Sequence, residues 1–305
     1  MNIHSRPYRH PDDLPALIRL TKDLRAAGQR VYPIAADLYE ELDDPAAQVS
    51  ARLWEAGNRL LGFAYISRWQ NMVDAFWADA FSPAVQAEMM GWLVQAARQR
   101  NPARGEMLTL DASALEEDRS RLDLLERFGF LRQAESSLLM ACSLGCPLPE
   151  PELPPGFHIR PMGGAAELEA YVALHRSAFG TENMSIDYRR SIMNAPDYLA
   201  DLDLVAMAPD GTLAAFCMGQ IFGDDVPRAG GKKEGWTDPV GVHPAYRRQG
   251  LARALILTGM HRLRERGIDT ALLGASSANV AMQRVAERIG FRVASNTLFY
   301  SKVIS

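Results

Sequence analysis

Apolar and polar positions in this chain follow two rhythms, a period of two and a period near 3.6, and residues 234–291 show both most clearly. Glu234-Gly235-Trp236-Thr237-Asp238-Pro239-Val240 alternates, so a strand here puts Glu234, Trp236 and Asp238 on one face. The run continues through Gly241 and Val242 to a turn residue, Pro244. Pro239 has no N–H for a strand ladder and is expected to bulge the strand and aim Asp238 into the cleft. After Gly250, positions Ala252, Leu255, Ile256, Gly259 and Leu263 share one helical face, and Arg253, Arg262, Arg264 and Arg266 load the remainder. Gly267 stands where a helix-ending glycine belongs. A short apolar strand over 270–273 follows, and Asn279 then opens a helix that closes on Gly290-Phe291.

The order of elements occurs twice. Ile3-His4-Ser5-Arg6-Pro7 is answered by Phe157-His158-Ile159-Arg160-Pro161, residues 60–64 by 213–217, and Glu126-Arg127-Phe128-Gly129-Phe130 by Glu287-Arg288-Ile289-Gly290-Phe291. The offsets are 154, 153 and 161 residues, nearly constant, which implies a duplicated α/β unit. Between the copies lies Cys146–Gly156, with five prolines in eleven residues, too rich in proline for helix or central strand. The expected division is therefore 1–145, a proline-rich linker over 146–156, and 157–305.

Composition narrows the function classes. A chain of 305 residues suits two ordinary domains, and 48% apolar with 23% charged residues is globular in character. No apolar run is long enough to span a bilayer and no secretory signal opens the chain, which predicts a cytoplasmic protein without a membrane partner. Cys142, Cys146 and Cys217 are an odd set without further ligands nearby, so no metal site is expected. The net charge of −4 argues against nucleic acid as a partner. Residues 1–146 hold 16 basic against 20 acidic residues and residues 147–305 hold 17 of each, so the basic character near residue 250 is local.

That local feature has a clear chemistry. Arg247-Arg248-Gln249-Gly250-Leu251-Ala252 joins the strand to the start of a helix, where backbone N–H groups lack partners and the helix dipole is positive. Gly250 allows close backbone approach, Ala252 keeps the first turn uncrowded, and Arg247 and Arg248 are expected to supply mobile charge at the rim. The stretch is an anion cradle. Its Arg-x-x-Gly-x-Ala spacing resembles the signature of the GCN5-related N-acetyltransferases, and Asn279 with the helix ending on Gly290-Phe291 resembles that family's second signature.

The resemblance implies two tandem α/β domains, each a mixed, mostly antiparallel sheet flanked by helices, and acetyl-coenzyme A as co-substrate. It implies that the pantetheine arm pairs with backbone groups of Val240, Gly241 and Val242, that the pyrophosphate lies on Arg247 to Ala252, and that Asn279 bonds the arm. It further implies acetyl transfer to an amine of a small-molecule acceptor. The family's strand glutamate falls nearest Trp236, so Asp238 is the candidate base, with Glu234 as second choice; Asp238 alternatively caps the local bend, and Glu234 alternatively pairs with Lys232 or Lys233. The family's tyrosine acid falls on Ala286, which leaves Ser276, Ser277 or Tyr300 to assist, or no protein acid. Its absence keeps open a non-catalytic acyl-coenzyme A-binding regulator or scaffold.

The 161-residue offset places Gln86, Glu88, Met89 and Gly91 where Arg247, Gln249, Gly250 and Ala252 stand. A carboxylate in place of phosphate donors opposes anion binding, so the N-terminal copy is expected to be degenerate. Acceptor recognition is expected from 179–184, Tyr188 and Asp224-Asp225, with His175 packed rather than reactive. Tandem copies predict a monomer that contains its own pseudo-dimer.

Overall fold

The computed structural model describes residues 3–29, 33, 35–100, 108–195, 198–221 and 233–304. Asp224 and Asp225 lie outside them. The chain forms two compact units, Met1–Ser136 with Thr297–Ser305, and Ser137–Asn296. Relative to the proline-rich segment, the closing strand of each half is thus built into the other unit.

Unit 1 runs β1 (His4–Pro7), α1 (Leu14–Ala26), α2 (Ala35–Glu41), α3 (Pro45–Ser50), β2 (Arg52–Ala56), β3 (Arg59–Ile66), β4 (Met72–Phe76), α4 (Pro83–Arg100), β5 (Thr109–Leu115) and α5 (Arg119–Arg127). β6 (Leu131–Ser143) begins here, and its part from Ser137 onward lies in unit 2. Strands β1 to β4 form an antiparallel sheet in sequential order. β5 pairs antiparallel with residues 297–303 of the last strand. A single parallel bridge, Asn71 to Asp111, joins the β4 side to β5.

Unit 2 continues with β7 (His158–Pro161), α6 (Leu168–Phe179), α7 (Ile186–Met193), β8 (Asp203–Met207), β9 (Leu213–Gln220), β10 (Glu234–Val242), α8 (Leu251–Glu265), β11 (Thr270–Ser276), α9 (Val280–Ile289) and β12 (Arg292–Val303). Its sheet order is β6-β11-β10-β9-β8-β7, antiparallel except where β10 meets β11. Both units are therefore mixed α/β with mostly antiparallel sheets, as expected. No helix among the described residues is long and apolar enough to cross a membrane.

Strand alternation divides the core of unit 2 into two layers. Ala215 and Cys217 of β9 face α8 and α9, while Phe216 between them faces α6. Helix α8 buries Leu255, Ile256, Met260 and Leu263 completely, and each such side chain contributes roughly 1.5–3 kcal/mol. Gly259 on that face lets the helix approach β9 and β10: a Cβ there would touch Thr237 and Cys217. Gly267, at φ +71°, ends α8 as its position predicted. Across the sheet, α7 is anchored by Arg189, wholly buried and ion-paired with Asp203, which also accepts from Tyr198 Oη at 2.6 Å. The Arg189 guanidinium lies 4.0 Å from the centre of the Tyr171 ring.

The proline-rich segment has no helix or strand over 147–154. It is not a bare spacer: Leu148, Leu153 and Phe157 pack on the core of unit 2, and the Pro149 carbonyl lies 3.0 Å from His261 Nε2.

Candidate functional site

A gap opens in the sheet of unit 2. Strands β10 and β11 pair in parallel only from Glu234–Thr270 to Trp236–Leu272, yet β10 runs on to Val242 and β11 to Ser276. The divergence has a local cause. In β10, Thr237 opposes Gly219 and Val240 opposes Cys217, so Asp238 and Pro239 together face the one residue Met218. That is the bulge Pro239 led us to expect, with an extra residue that bends the strand. Thr237 Oγ1 bonds the Leu272 carbonyl at 3.1 Å and closes the narrow end.

Beyond the bulge, His243 N donates to Ala214 O at 2.9 Å, which sets the ladder's parity. Gly241 opposite Phe216 is then a hydrogen-bonded pair with β9, and Val240 and Val242 turn their N–H and C=O groups to the gap. Gly241 serves packing: a Cβ there would sit 2.3 Å from the Phe216 ring and 3.0 Å from Ala178 Cβ.

Asp238 stands in the bulge, just beyond the last parallel pair of β10 and β11. Its Oδ2 accepts from Gly274 N at 3.3 Å, while Oδ1 is sealed from solvent without a partner. Burial pushes its pKa up to about 7, against the pull of the Gly274 N–H, which favours the charged form. A carboxyl group so poised can accept a proton near neutral pH. The Cys217 thiol on β9 is held well above its usual range by burial and, next, by the charge of Asp238. Glu234 lies instead in the paired stretch opposite Thr270, roughly 13 Å along the strand from Asp238.

The cradle follows. Residues 244–246 form a short 3-10 turn, capped by His243 Nδ1 accepting from Ala245 N at 3.2 Å. Arg248 and Gly250 both adopt positive φ, +64° and +84°, which curls the loop under the start of α8. The first bond of the helix runs from Ala254 N to Gly250 O, so the N–H groups of Leu251, Ala252 and Arg253 have no helical acceptor. A Cβ at Gly250 would meet nothing within 4 Å, the clearance a phosphate approach requires. Leu251 buries its side chain in the core and contributes backbone alone. Arg248 and Gln249 are exposed.

Arg247 departs from expectation. Its Nη2 donates to Ala178 O at 2.9 Å and its Nε to Val242 O at 3.3 Å. It fastens the loop to α6 and β10 while staying exposed, so its charge is held in place and not mobile. Asn279 caps α9 by accepting from Met282 N at 3.1 Å, which leaves its amide NH2 to donate. Ala286 is fully buried, and Tyr300 is buried in the core of unit 1. Ser276 Oγ accepts from Ala278 N at 3.1 Å. His175 is packed between Phe179 and Phe216, with ring centres 4.8 and 5.5 Å away. Burial lowers its pKa. Phe179 is exposed, Glu182 pairs with Arg176 at 2.8 Å, and the Tyr188 backbone N–H donates to Ser185 in the cap of α7.

Unit 1 has the corresponding strand gap, and it is filled. Its bridge, Asn71–Asp111, matches Trp236–Leu272, with Asp111 and Leu272 separated by the 161-residue offset. Just beyond, buried Asp74 of β4 is held by both terminal nitrogens of Arg121 at 2.7 and 2.9 Å, and Arg121 Nε donates to Ser113 O at 2.6 Å. Helix α4 begins at Pro83, so 86–91 are helical where unit 2 has its loop. Met89, at the Gly250 position, is buried in the core. Gln86 accepts from Arg127, and Glu88 from Ser5. Sequence reasoning missed both Arg121 and Gly274. The signal for the second was present, since the offset aligns Ser113 with Gly274.

Residues 168–291 match the model of the acetyltransferase (GNAT) family. The chain is 28% identical over 183 residues to a mycothiol acetyltransferase of Saccharomonospora viridis, covering 59% of this chain and 60% of that one. It is 32% identical over 170 residues to a mycothiol acetyltransferase of Thermobispora bispora, covering 54% and 56%. The chain thus spans about 60% or less of the length of these curated relatives. Among solved structures, a tandem GNAT protein from the clavulanic acid biosynthesis pathway superposes with a TM-score of 0.77 at 15% identity, over 100% of this chain and 99% of its own. A GCN5-related N-acetyltransferase from Sphaerobacter thermophilus gives 0.74 at 22% identity, over 99% and 96%. These two likenesses establish the fold.

Proposed function

We propose, from the match of residues 168–291 to the acetyltransferase (GNAT) family, that unit 2 transfers an acetyl group from acetyl-coenzyme A to a primary amine of a small molecule. The observation that carries the proposal is the Asp238 carboxyl group beside the strand gap, with one oxygen held by Gly274 and the other buried and unpartnered.

The residues fit the co-substrate. Val240 and Val242 offer strand-edge groups to its amide arm, and the bare N–H groups from Leu251 to Arg253 with the clearance above Gly250 suit its pyrophosphate. Arg247 holds that loop, Arg248 and Gln249 border it, and the exposed Asn279 keeps its amide NH2 to donate. The thioester supplies the activated acetyl group. Asp238 Oδ1 accepts the proton of the incoming ammonium and frees its lone pair. The chain offers no tyrosine at Ala286 to protonate the departing thiolate, which is itself a fair leaving group near neutral pH. In unit 1 the filled gap and continuous helix α4 oppose cofactor binding, which supports one site per chain and a degenerate role for 1–145.

Calorimetric titration with acetyl-coenzyme A tests this first. One site is expected, abolished by Gly250→Glu; two sites would overturn the degenerate reading of unit 1. Screening begins with mycothiol-related amines, since two relatives carry that name. Asp238→Asn should then lower the rate by about 10²–10⁴-fold with cofactor affinity retained. The buried alanine at 286 favours a second reading, an acyl-coenzyme A-binding regulator. Binding without turnover of any amine would select it.

A further inference from the structure

The bulge explains why the Asp238 side chain leaves its strand, but not why one oxygen of its carboxylate stays without a partner. The second question is answered from β11. Gly274 N donates to Asp238 Oδ2 at 3.3 Å, and an ideal Cβ built on Gly274 would lie 3.0 Å from that same oxygen. The glycine therefore does two things at one place. Its amide holds one oxygen, and its missing side chain makes the space the carboxylate occupies. At 3.0 Å a methyl group forces its neighbour to give by some tenths of an ångström, and the neighbour here is the carboxylate itself.

Unit 1 shows the alternative. The residue at the Gly274 position is Ser113, and there the nearby carboxylate, Asp74, is not left for an incoming group but is gripped by Arg121, which also bonds the Ser113 carbonyl. Of two strand gaps with a carboxylate, only the one bordered by glycine keeps an oxygen without a partner.

We propose that Gly274 is the positioning residue of the acetyl-transfer reaction: its N–H fixes Asp238 Oδ2, and its lack of a side chain leaves room for the carboxylate to keep Oδ1 without a hydrogen-bond partner. The inference rests on the acetyl-transfer reading and assigns the geometry of its base to a residue of the neighbouring strand.

Gly274→Ala tests it. The turnover number at saturating acetyl-coenzyme A should fall by about tenfold or more, because a displacement below 1 Å at a reacting group is costly. The dissociation constant for acetyl-coenzyme A should stay within about twofold, since that arm lies along β10 and α8. The acid limb of the pH–rate profile should move upward, because a weakened N–H bond no longer favours the carboxylate. In an Asp238→Asn background the same substitution should cost nothing further, and an equal loss there would overturn the proposal.

A measurement on the unaltered protein keeps the test independent of whether the variant folds. The Gly274 amide resonance should shift through one transition near pH 7 and stay fixed in Asp238→Asn. A Gly274 amide that does not titrate overturns the inference. The two failures are distinguishable. If acetyl transfer is the wrong reading, Asp238→Asn changes no rate; if only this inference is wrong, Asp238→Asn is slow and Gly274→Ala is not.

Discussion

The two units place a carboxylate beside the same break between parallel-paired strands and treat it in opposite ways. Asp74 in unit 1 is buried and satisfied: two bonds to Arg121, with Arg121 bonded onward to a carbonyl. Asp238 in unit 2 has one long bond to a backbone N–H and one oxygen with none. A buried carboxylate with a bidentate arginine is a structural member, because removing either partner strands a charge. A buried carboxylate with spare capacity is costly to keep, and such cost concentrates where chemistry is done. The duplicated fold thus contains its own control.

The comparison breaks most visibly in unit 1. Arg121→Ala leaves the Asp74 carboxylate, 1% exposed, without its cation and should destabilise the protein by about 3–5 kcal/mol in urea unfolding. Specific activity of the folded protein should not change. Replacing the pair together, Asp74→Leu with Arg121→Met, should recover most of the loss, because an apolar pair needs no compensation. A large fall in activity at unchanged stability would show that unit 1 is more than a support.

In unit 2 the corresponding change should have the reverse sign. Asp238 titrates near 7 in the folded protein, far above the range near 4 of an unfolded aspartate. The folded state therefore holds the proton more tightly, and the stability this provides is complete at low pH and lost as pH rises through that window. Asparagine does not ionise. Asp238→Asn should raise stability relative to the unaltered protein by an amount that grows between about pH 4 and pH 7 and levels off above. At pH 8 the gain should be at most about 4 kcal/mol, read from thermal or urea unfolding. Asp74→Asn should destabilise instead, since it dismantles the bidentate pair.

Much of this site was legible in the residues because it is built by local chemistry. The helix after Gly250, its closing Gly267, the capping Asn279 and the bulge at Pro239 each depend on neighbours a few positions away. What was not legible depends on distant partners. Arg121 meets Asp74 across 47 residues, and Arg247 meets the Ala178 carbonyl across 69. The exchange of closing strands was hidden for another reason. Glu126 to Phe130 and Glu287 to Phe291 both lead into an extended strand, and alternation states which face of a strand is buried but not which sheet it joins.

The smallest effect sharpens the contrast within the cradle itself, between Arg247 and Arg248. Both were expected to lend charge to a phosphate and both are exposed, but Arg247 donates from Nε and Nη2 to two carbonyls. Arg247→Ala should weaken acetyl-coenzyme A binding by roughly 3–10-fold, the worth of about 1 kcal/mol of loop fastening. Because that loss is one of shape, it should be nearly the same at low and high salt. Arg247→Lys should not restore binding, since one ammonium cannot reproduce the two-carbonyl geometry of the guanidinium. Arg248→Ala should cost a similar amount at low ionic strength and much less at high salt, as expected for an exposed charge acting through solvent. Equal salt dependence in the two variants would return Arg247 to the rim and leave the loop held by its backbone alone.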